Sequence, residues 1–278
     1  MNLPRPTLTA KLIILLNVVC CCINSTASAQ TNKSLATNLA EVVWIERDDS
    51  LNHILFAAFD GVSWKSRSTP LYSSRNPLAT PTIGTKKSGE KLVLWTEQKN
   101  DRATLFSILG RPQPNNSRTV SWTDPTTFSN LRVENLAANV LVDINQKFWV
   151  FWSASGGEQS DVFFTRELLN DWTSPSKVND HNVVPDSQPI AHNDIAGNVV
   201  VEWLSFDLKA IEYVGQSAIY SSAGTKLSNG LSKKTETLSI HAKAEQNLTK
   251  IDPPTFLPDN LRICIHFPQN KLIQSILW

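Results

Sequence analysis

Apolar runs of strand length recur along the chain, each with a tryptophan near its end: Val42-Val43-Trp44-Ile45-Glu46, Leu92-Val93-Leu94-Trp95-Thr96-Glu97, Phe148-Trp149-Val150-Phe151-Trp152-Ser153 and Val199-Val200-Val201-Glu202-Trp203. Trp44, Trp95, Trp152 and Trp203 are separated by 51, 57 and 51 residues. Short apolar runs bounded by turn residues read as central strands buried on both faces. Pro81 and Pro189 each stand 14 residues before their tryptophan, and Gly89 and Gly197 each stand six before it. Equal offsets in two separate units indicate a tandem repeat.

The order within a unit is an inner segment, the tryptophan strand, a third strand and a short fourth segment. The second unit has Pro81-Thr82-Ile83, Leu92 to Trp95, Thr104 to Ile108 and Thr119 to Trp122. The third has Asn139 to Leu141, Phe148 to Trp152, Asp161 to Phe164 and Trp172-Thr173-Ser174-Pro175. The first lacks an inner strand. A degraded fifth follows at Pro254 to Leu257, Leu261 to Ile265 and Leu272 to Trp278. Four short strands at a period near 50 predict an all-β fold, a β-propeller of antiparallel four-stranded blades. Five blades, or four and a fragment, both fit. Pro81, Pro189 and Pro254 are expected at strand starts, because a mid-strand proline deletes a ladder bond. The polar stretch around Ser34-Leu35-Ala36 is expected to complete the last blade as a clasp. Residues 215–249 read as an outer strand followed by an irregular insertion.

The N-terminus changes the compartment. Arg5 and Lys11 precede an apolar run from Leu12 to Ile23, broken only by Asn17, and Ala27-Ser28-Ala29 follows. This is the pattern of a secretory signal peptide over residues 1–29, cleaved between Ala29 and Gln30. The expectation is an exported protein, periplasmic or secreted, with residues 30–278 as one domain, no span after signal removal and no lipid anchor. Three of the four cysteines, Cys20 to Cys22, leave with the signal, so Cys264 remains as a small buried hydrophobe. With hydrophobic content 41%, charged content 18% and net charge +1, the chain has no field that would draw a nucleic acid.

The tryptophan strands, Pro81-Thr82-Ile83, Asp60-Gly61-Val62-Ser63-Trp64 and Asp171-Trp172-Thr173-Ser174-Pro175 together resemble the sialidase-like superfamily of BNR-repeat propellers, over roughly Ala40 to Tyr213. Gly61 and Trp64 match the last anchors of that family's Ser-x-Asp-x-Gly-x-x-Trp box. Asp60 stands one place too close to the tryptophan, and Phe59 or Ala58 replaces the serine. The resemblance implies a carboxylate clamp of three arginines and a tyrosine nucleophile paired with a glutamate. The early Arg-Ile-Pro motif is absent, and Tyr72, Tyr213 and Tyr220 lie in no matching context, so no catalytic residue carries over.

Ligands of propellers meet loops that lead into inner strands and loops between second and third strands. The candidates there are Arg47, Arg75, Arg102, Glu134, Asp186, His192 and Asp252. Arginines in such loops can grip a carboxylate or sulfate through paired hydrogen bonds. No histidine spacing suits a metal, and no phosphate loop or Gly-x-Ser-x-Gly elbow occurs, so neither metal nor cofactor is expected. The expected function is a monomer binding a glycan or protein ligand through its loop face without chemistry. The alternative is a divergent sialidase-like hydrolase of an acidic sugar.

Overall fold

The computed structural model describes residues 40–229, except 115, 157, 158 and 170 and with 116–118 by backbone alone, together with the backbone of 264–266 and 275–277. Every regular element in it is a strand. The signal peptide, the clasp around Ser34, Pro254 and Asp252 lie outside the described residues.

Four blades follow one another along the chain, in the propeller arrangement expected; they form three hydrogen-bonded sheets, because one parallel bridge, Glu134 to Ala103, joins blades II and III. Blade I contains β1 (Ala40–Arg47), β2 (Asn52–Phe59), β3 (Trp64–Ser66) and β4 (Tyr72–Ser74). Blade II contains β5 (Leu78–Thr85), β6 (Lys91–Lys99), β7 (Arg102–Gln113), β8 (Asn116–Trp122) and β9 (Thr126–Ser129). Blade III contains β10 (Glu134–Val142), β11 (Phe148–Ser155), β12 (Ser160–Arg166) and β13 (Ser176–Lys177). Blade IV contains β14 (Asp186–Asn193), β15 (Val199–Asp207), β16 (Glu212–Tyr220) and β17 (Lys226–Asn229). Of the stretch 215–249, read as an outer strand followed by an irregular insertion, residues up to 229 are described: they complete β16 and add the short outer strand β17.

Blade I obtains the inner strand its own sequence lacks from the far end of the chain. β18 (Cys264–His266) pairs antiparallel with β1, Val43 opposite Cys264, and β19 (Ser275–Leu277) pairs with β18. The fifth unit visible in the sequence thus lends a strand to the first.

The tryptophan strands sit between sheets, as their two-faced apolar pattern requires. Along β6, Val93 and Trp95 point to blade I and pack with Val43, Ile54 and Phe56, while Leu92 and Leu94 point to blade III and pack with Val140 and Trp152. Along β11, Trp149 and Phe151 face blade IV and meet Val201, Trp203 and Tyr220. Trp95 and Trp152 are fully buried, and Trp44 and Trp203 nearly so. Burying an aromatic side chain of this size is worth roughly 3 kcal/mol each against leaving it in water, which makes these three interfaces the dominant source of stability.

The inner strands of blades II, III and IV are broken at the same place. Register shifts fall between Ala79 and Thr82, Leu136 and Asn139, and Ser187 and Ile190. The bulge residues Thr80, Ala137 and Gln188 have φ of 47°, 50° and 55°, and each stands 15 residues before its blade's tryptophan. This corrects the expectation for two prolines. Pro81 and Pro189 lie inside β5 and β14, each directly after the bulge residue, where the ladder is already interrupted and their missing N–H breaks no further pairing. The left-handed conformation of a non-glycine residue costs of order 1 kcal/mol, and bonds from the preceding blade hold two of the three bulges. The Thr96 hydroxyl donates to Asn135 O at 2.8 Å, and Gln188 N donates to Ser153 Oγ at 3.1 Å. Thr96 and Ser153 both directly follow a marker tryptophan.

At the other end of the strands, Gly89, Gln146 and Gly197 occupy the left-handed position of three equivalent hairpin turns, with φ of 85°, 61° and 83°. Gln146 performs there what glycine performs in its neighbours. Between blades I and II, Glu41 is buried and takes bonds from Lys91 Nζ and Thr85 Oγ1.

Inner strands approach closely. A Cβ built on Gly84 would stand 2.5 Å from Cγ1 of Val140 in the next blade. Replacing Gly84 by Ala is expected to lower the unfolding free energy by about 1–3 kcal/mol through overpacking, while Ile195→Ala on an exposed turn changes it by less than about 0.5 kcal/mol; urea titrations of the two variants check this.

Tyr220, in the core between blades III and IV, has its hydroxyl pushed up to about 12, by burial first and then by the Asp180 charge. Tyr72, between blades I and II, is likewise pushed up to about 12 by burial and then by its bond to Glu97. Both groups start from 10.0, so the unfolded chain gives up these protons before the folded one does. Their stabilising contribution is complete below pH 10 and is lost as pH rises towards 12. The thermal midpoint is expected to fall over that window, and less steeply in a Tyr72→Phe/Tyr220→Phe double variant.

Candidate functional site

Blade-to-blade crossovers are the segments that reach the loop end, and each is tied down by one buried polar side chain. Into blade II, Glu97 receives Tyr72 Oη at 2.7 Å, Ser74 Oγ at 2.8 Å and Asn76 Nδ2 at 2.5 Å. Into blade III, Asn135 donates to Ala103 O and Arg132 O and accepts from Ser129 Oγ. Into blade IV, Asp186 is completely buried. Its Oδ1 accepts Trp203 Nε1 at 2.9 Å, and its Oδ2 accepts Asn179 Nδ2 and Asn182 Nδ2, both at 2.8 Å. Asn179 Nδ2 also reaches Asp161 Oδ1 at 3.0 Å, and Asp161 is paired with Lys177 at 2.8 Å. Buried carboxylates supplied with donors in this way are satisfied rather than costly.

The crossover into blade IV leaves space beside its tie. A polar cavity of about 190 Å³ is lined by Asn179, Asn182, Asp186, Trp203, Ser217 and Asn229 among others. A second, more apolar cavity of about 360 Å³ lies at the β15–β16 hairpin, lined by Val184, Phe206, Leu208 and Val214 among others. Ser205 and Gln216 line both. The two form a groove with a hydrogen-bonding half and an apolar half. One wall is held by the backbone: Phe206 N donates to Pro185 O at 3.1 Å. The same tie in blade II joins Gln98 N to Pro77 O at 2.9 Å. Lys226 Nζ, bonded to Val178 O at 3.1 Å and to Asp180 Oδ1 at 3.4 Å, brings β17 against the crossover.

Of the residues selected from the sequence, only Asp186 lines this groove, and its carboxylate oxygens are already engaged. Arg47, Arg75, Arg102 and Glu134 are exposed and stand at the same end of their strands as Asp186. Register places Arg47 opposite Asn52 and Asn52 opposite Ser74, so Arg47 and the Arg75 loop are neighbours on blade I. Glu134 bridges to Ala103, next to Arg102, where blades II and III join. These are two separate pairs on different blades. His192 is elsewhere: it is six residues along β14 from Asp186, about 20 Å at strand rise, paired with Val200. Its Nδ1 is buried and finds no partner among the described residues.

The resemblance to sialidases implies a tyrosine–glutamate pair, and Tyr72 with Glu97 has that composition. Its chemistry is wrong for a nucleophile. Glu97 is filled by three donors, and the Tyr72 hydroxyl is held protonated well above neutrality. The box-like stretch Asp60 to Trp64 forms the turn between β2 and β3, with Asp60 Oδ1 accepting Val62 N and Ser63 N, both at 2.9 Å, and Gly61 at φ 98°. It is a turn-capping device.

Sequence reading missed Asn179, Asn182, Ser205 and Gln216. The one signal for the first two was local: Asn179, Asp180, Asn182 and Asp186 crowd a crossover that elsewhere is short of such residues. Ser205 and Gln216 lie inside strands and carry no signal at all.

No protein-family model and no curated protein matches the chain. Among solved structures it is similar to an endo-arabinase from Bacteroides thetaiotaomicron VPI-5482, at 11% identity over 88% of this chain and 94% of that one, with a TM-score of 0.45. It is also similar to an α-L-arabinanase from Penicillium chrysogenum complexed with arabinobiose, at 9% identity over 82% and 76% of the two chains, TM-score 0.46. A thermostable family-43 glycoside hydrolase follows at 10% identity, 73% and 76% coverage and a TM-score of 0.39. All three likenesses are distant, and none of these structures is described as a sialidase, so the BNR-type resemblance finds no support in them.

Proposed function

We propose that the protein is an exported β-propeller that binds a carbohydrate in the groove between the Val178–Asp186 crossover and the blade IV hairpin, without performing chemistry there. The observation that carries this reading is the division of the groove: amide and hydroxyl groups from Asn182, Gln216, Ser217 and Asn229 in one half, and Val184, Phe206, Leu208 and Val214 in the other. A sugar ring presents both hydroxyls and an apolar C–H surface, and side-chain amides can donate and accept to one hydroxyl pair at once. Export rests on the Arg5 to Ala29 pattern.

Hydrolysis of a glycosidic bond needs two carboxyl groups free to exchange protons or attack carbon. Glu97, Asp161 and Asp186 are each bound by amide, hydroxyl, indole or ammonium donors. That supports binding over the acidic-sugar hydrolase reading, as does the filled Tyr72–Glu97 pair.

The test is a glycan array followed by titration calorimetry with the best saccharide. Gln216→Ala, which removes a group shared by both halves, is expected to weaken binding about tenfold, equivalent to about 1.4 kcal/mol, with an unchanged thermal midpoint. An array with no binder, or a saccharide whose affinity ignores Gln216→Ala and Asn182→Ala alike, would overturn the assignment.

A further inference from the structure

A second constellation lies on blade I, away from the groove. Asp48, in the turn after β1, uses Oδ1 to accept Ser50 N and Leu51 N, both at 2.8 Å. Its Oδ2 is left for His53 Nε2, 2.8 Å away. The other ring nitrogen, His53 Nδ1, is 2.7 Å from Ser73 Oγ. An ionised carboxylate can only accept, so the proton of the neutral imidazole sits on Nε2. The lone pair on Nδ1 therefore receives the Ser73 O–H. Asp48 is held ionised well below the usual carboxylate range, first by the bond from His53 and then by the Ser50 and Leu51 amides.

The strands fix this order. His53 and Ser73 are direct cross-strand partners of β2 and β4. Ile54 and Phe56 of β2 pack toward blade II, so His53, by strand alternation, points to the opposite face. Ser73 is exposed there and open to an incoming group. A turn cap alone would need only the two amide bonds to Asp48. The β2–β4 ladder already joins those strands without help from the side chains. What remains is a hydroxyl, a base oriented to take its proton, and a carboxylate that sets the tautomer of the base, which is the division of labour of an activated serine.

We propose that Ser73, His53 and Asp48 form an acyl-transfer site that cleaves short-chain carboxylic esters. Ser73 Oγ attacks the ester carbonyl while its proton passes to His53 Nδ1. The tetrahedral intermediate collapses, the C–O bond to the alcohol breaks, and the alcohol leaves with the proton from His53. Water, deprotonated by the same nitrogen, then attacks the acyl-Ser73 ester. The carboxylic acid departs and the hydroxyl is restored. Nothing is oxidised or reduced, and water is the only co-reactant.

The full chain is incubated with p-nitrophenyl acetate and, separately, with a fluorophosphonate probe whose attachment is mapped by peptide mass spectrometry. The expected result is a single label on Ser73. Ser73→Ala is expected to lose the label and fall to background hydrolysis, and His53→Gln to lose about 100-fold or more in kcat/KM, both with unchanged thermal midpoints. A label elsewhere, no label on the folded protein, or Ser73→Ala turning over at the rate of the parent would overturn the proposal. Each of these results leaves saccharide binding in the blade IV groove untouched.

Discussion

A sheet that is apolar on both faces cannot be stable alone; it must be covered twice. That constraint governs this chain. β6 sends Leu92 and Leu94 one way and Val93 and Trp95 the other, and β11 repeats the division with Phe148, Val150 and Trp152 against Trp149 and Phe151. Each blade is thus both a core and a lid for its neighbours. In blade IV the division weakens. Val199, Val201 and Trp203 are buried against blade III, whereas Val200, Glu202 and Leu204 on the other face are only half-buried.

Packing of this kind is non-directional and would tolerate sliding, so polar bonds set the angle between sheets. They lie at both ends of the strands: Thr96 to Asn135 and Ser153 to Gln188 at the loop end, Asn193 Nδ2 to Val142 O at 2.9 Å at the other. Individually such bonds contribute about 1 kcal/mol. Their larger effect is geometric, because they decide where the crossovers run. The candidate groove lies where the crossover into blade IV is tied at Asp186 and Pro185, with Ser205 and Gln216 in its lining.

The repeat was legible because its signals are local. Trp95, Trp152 and Trp203, and the glycines six residues before two of them, are one-dimensional markers of a strand and a turn. The bulges were not legible: Thr80, Ala137 and Gln188 share a backbone conformation but no side-chain chemistry, so nothing in the residue types announces it. The pairing of Val43 with Cys264 joins the two ends of the chain, and no pattern within either stretch specifies the other. Proline rules placed Pro81 and Pro189 at strand starts; the structure evades the rule with a bulge. The site was read least well. Exposed arginines stand out because charge is visible in sequence, while the groove is built around Asn179 and Asp186, which meet Asn182 nearby in the chain but also Asp161 and Trp203 on other strands.

The central claim is that the marker tryptophans hold adjacent blades together as one cooperative unit. It is tested most directly by urea unfolding of Trp152→Ala, followed at once by far-ultraviolet circular dichroism and tryptophan fluorescence. The account predicts coincident transitions and a loss of about 3–5 kcal/mol, the cost of deleting a buried indole. A loss below about 1 kcal/mol, the scale of a surface change, would contradict it.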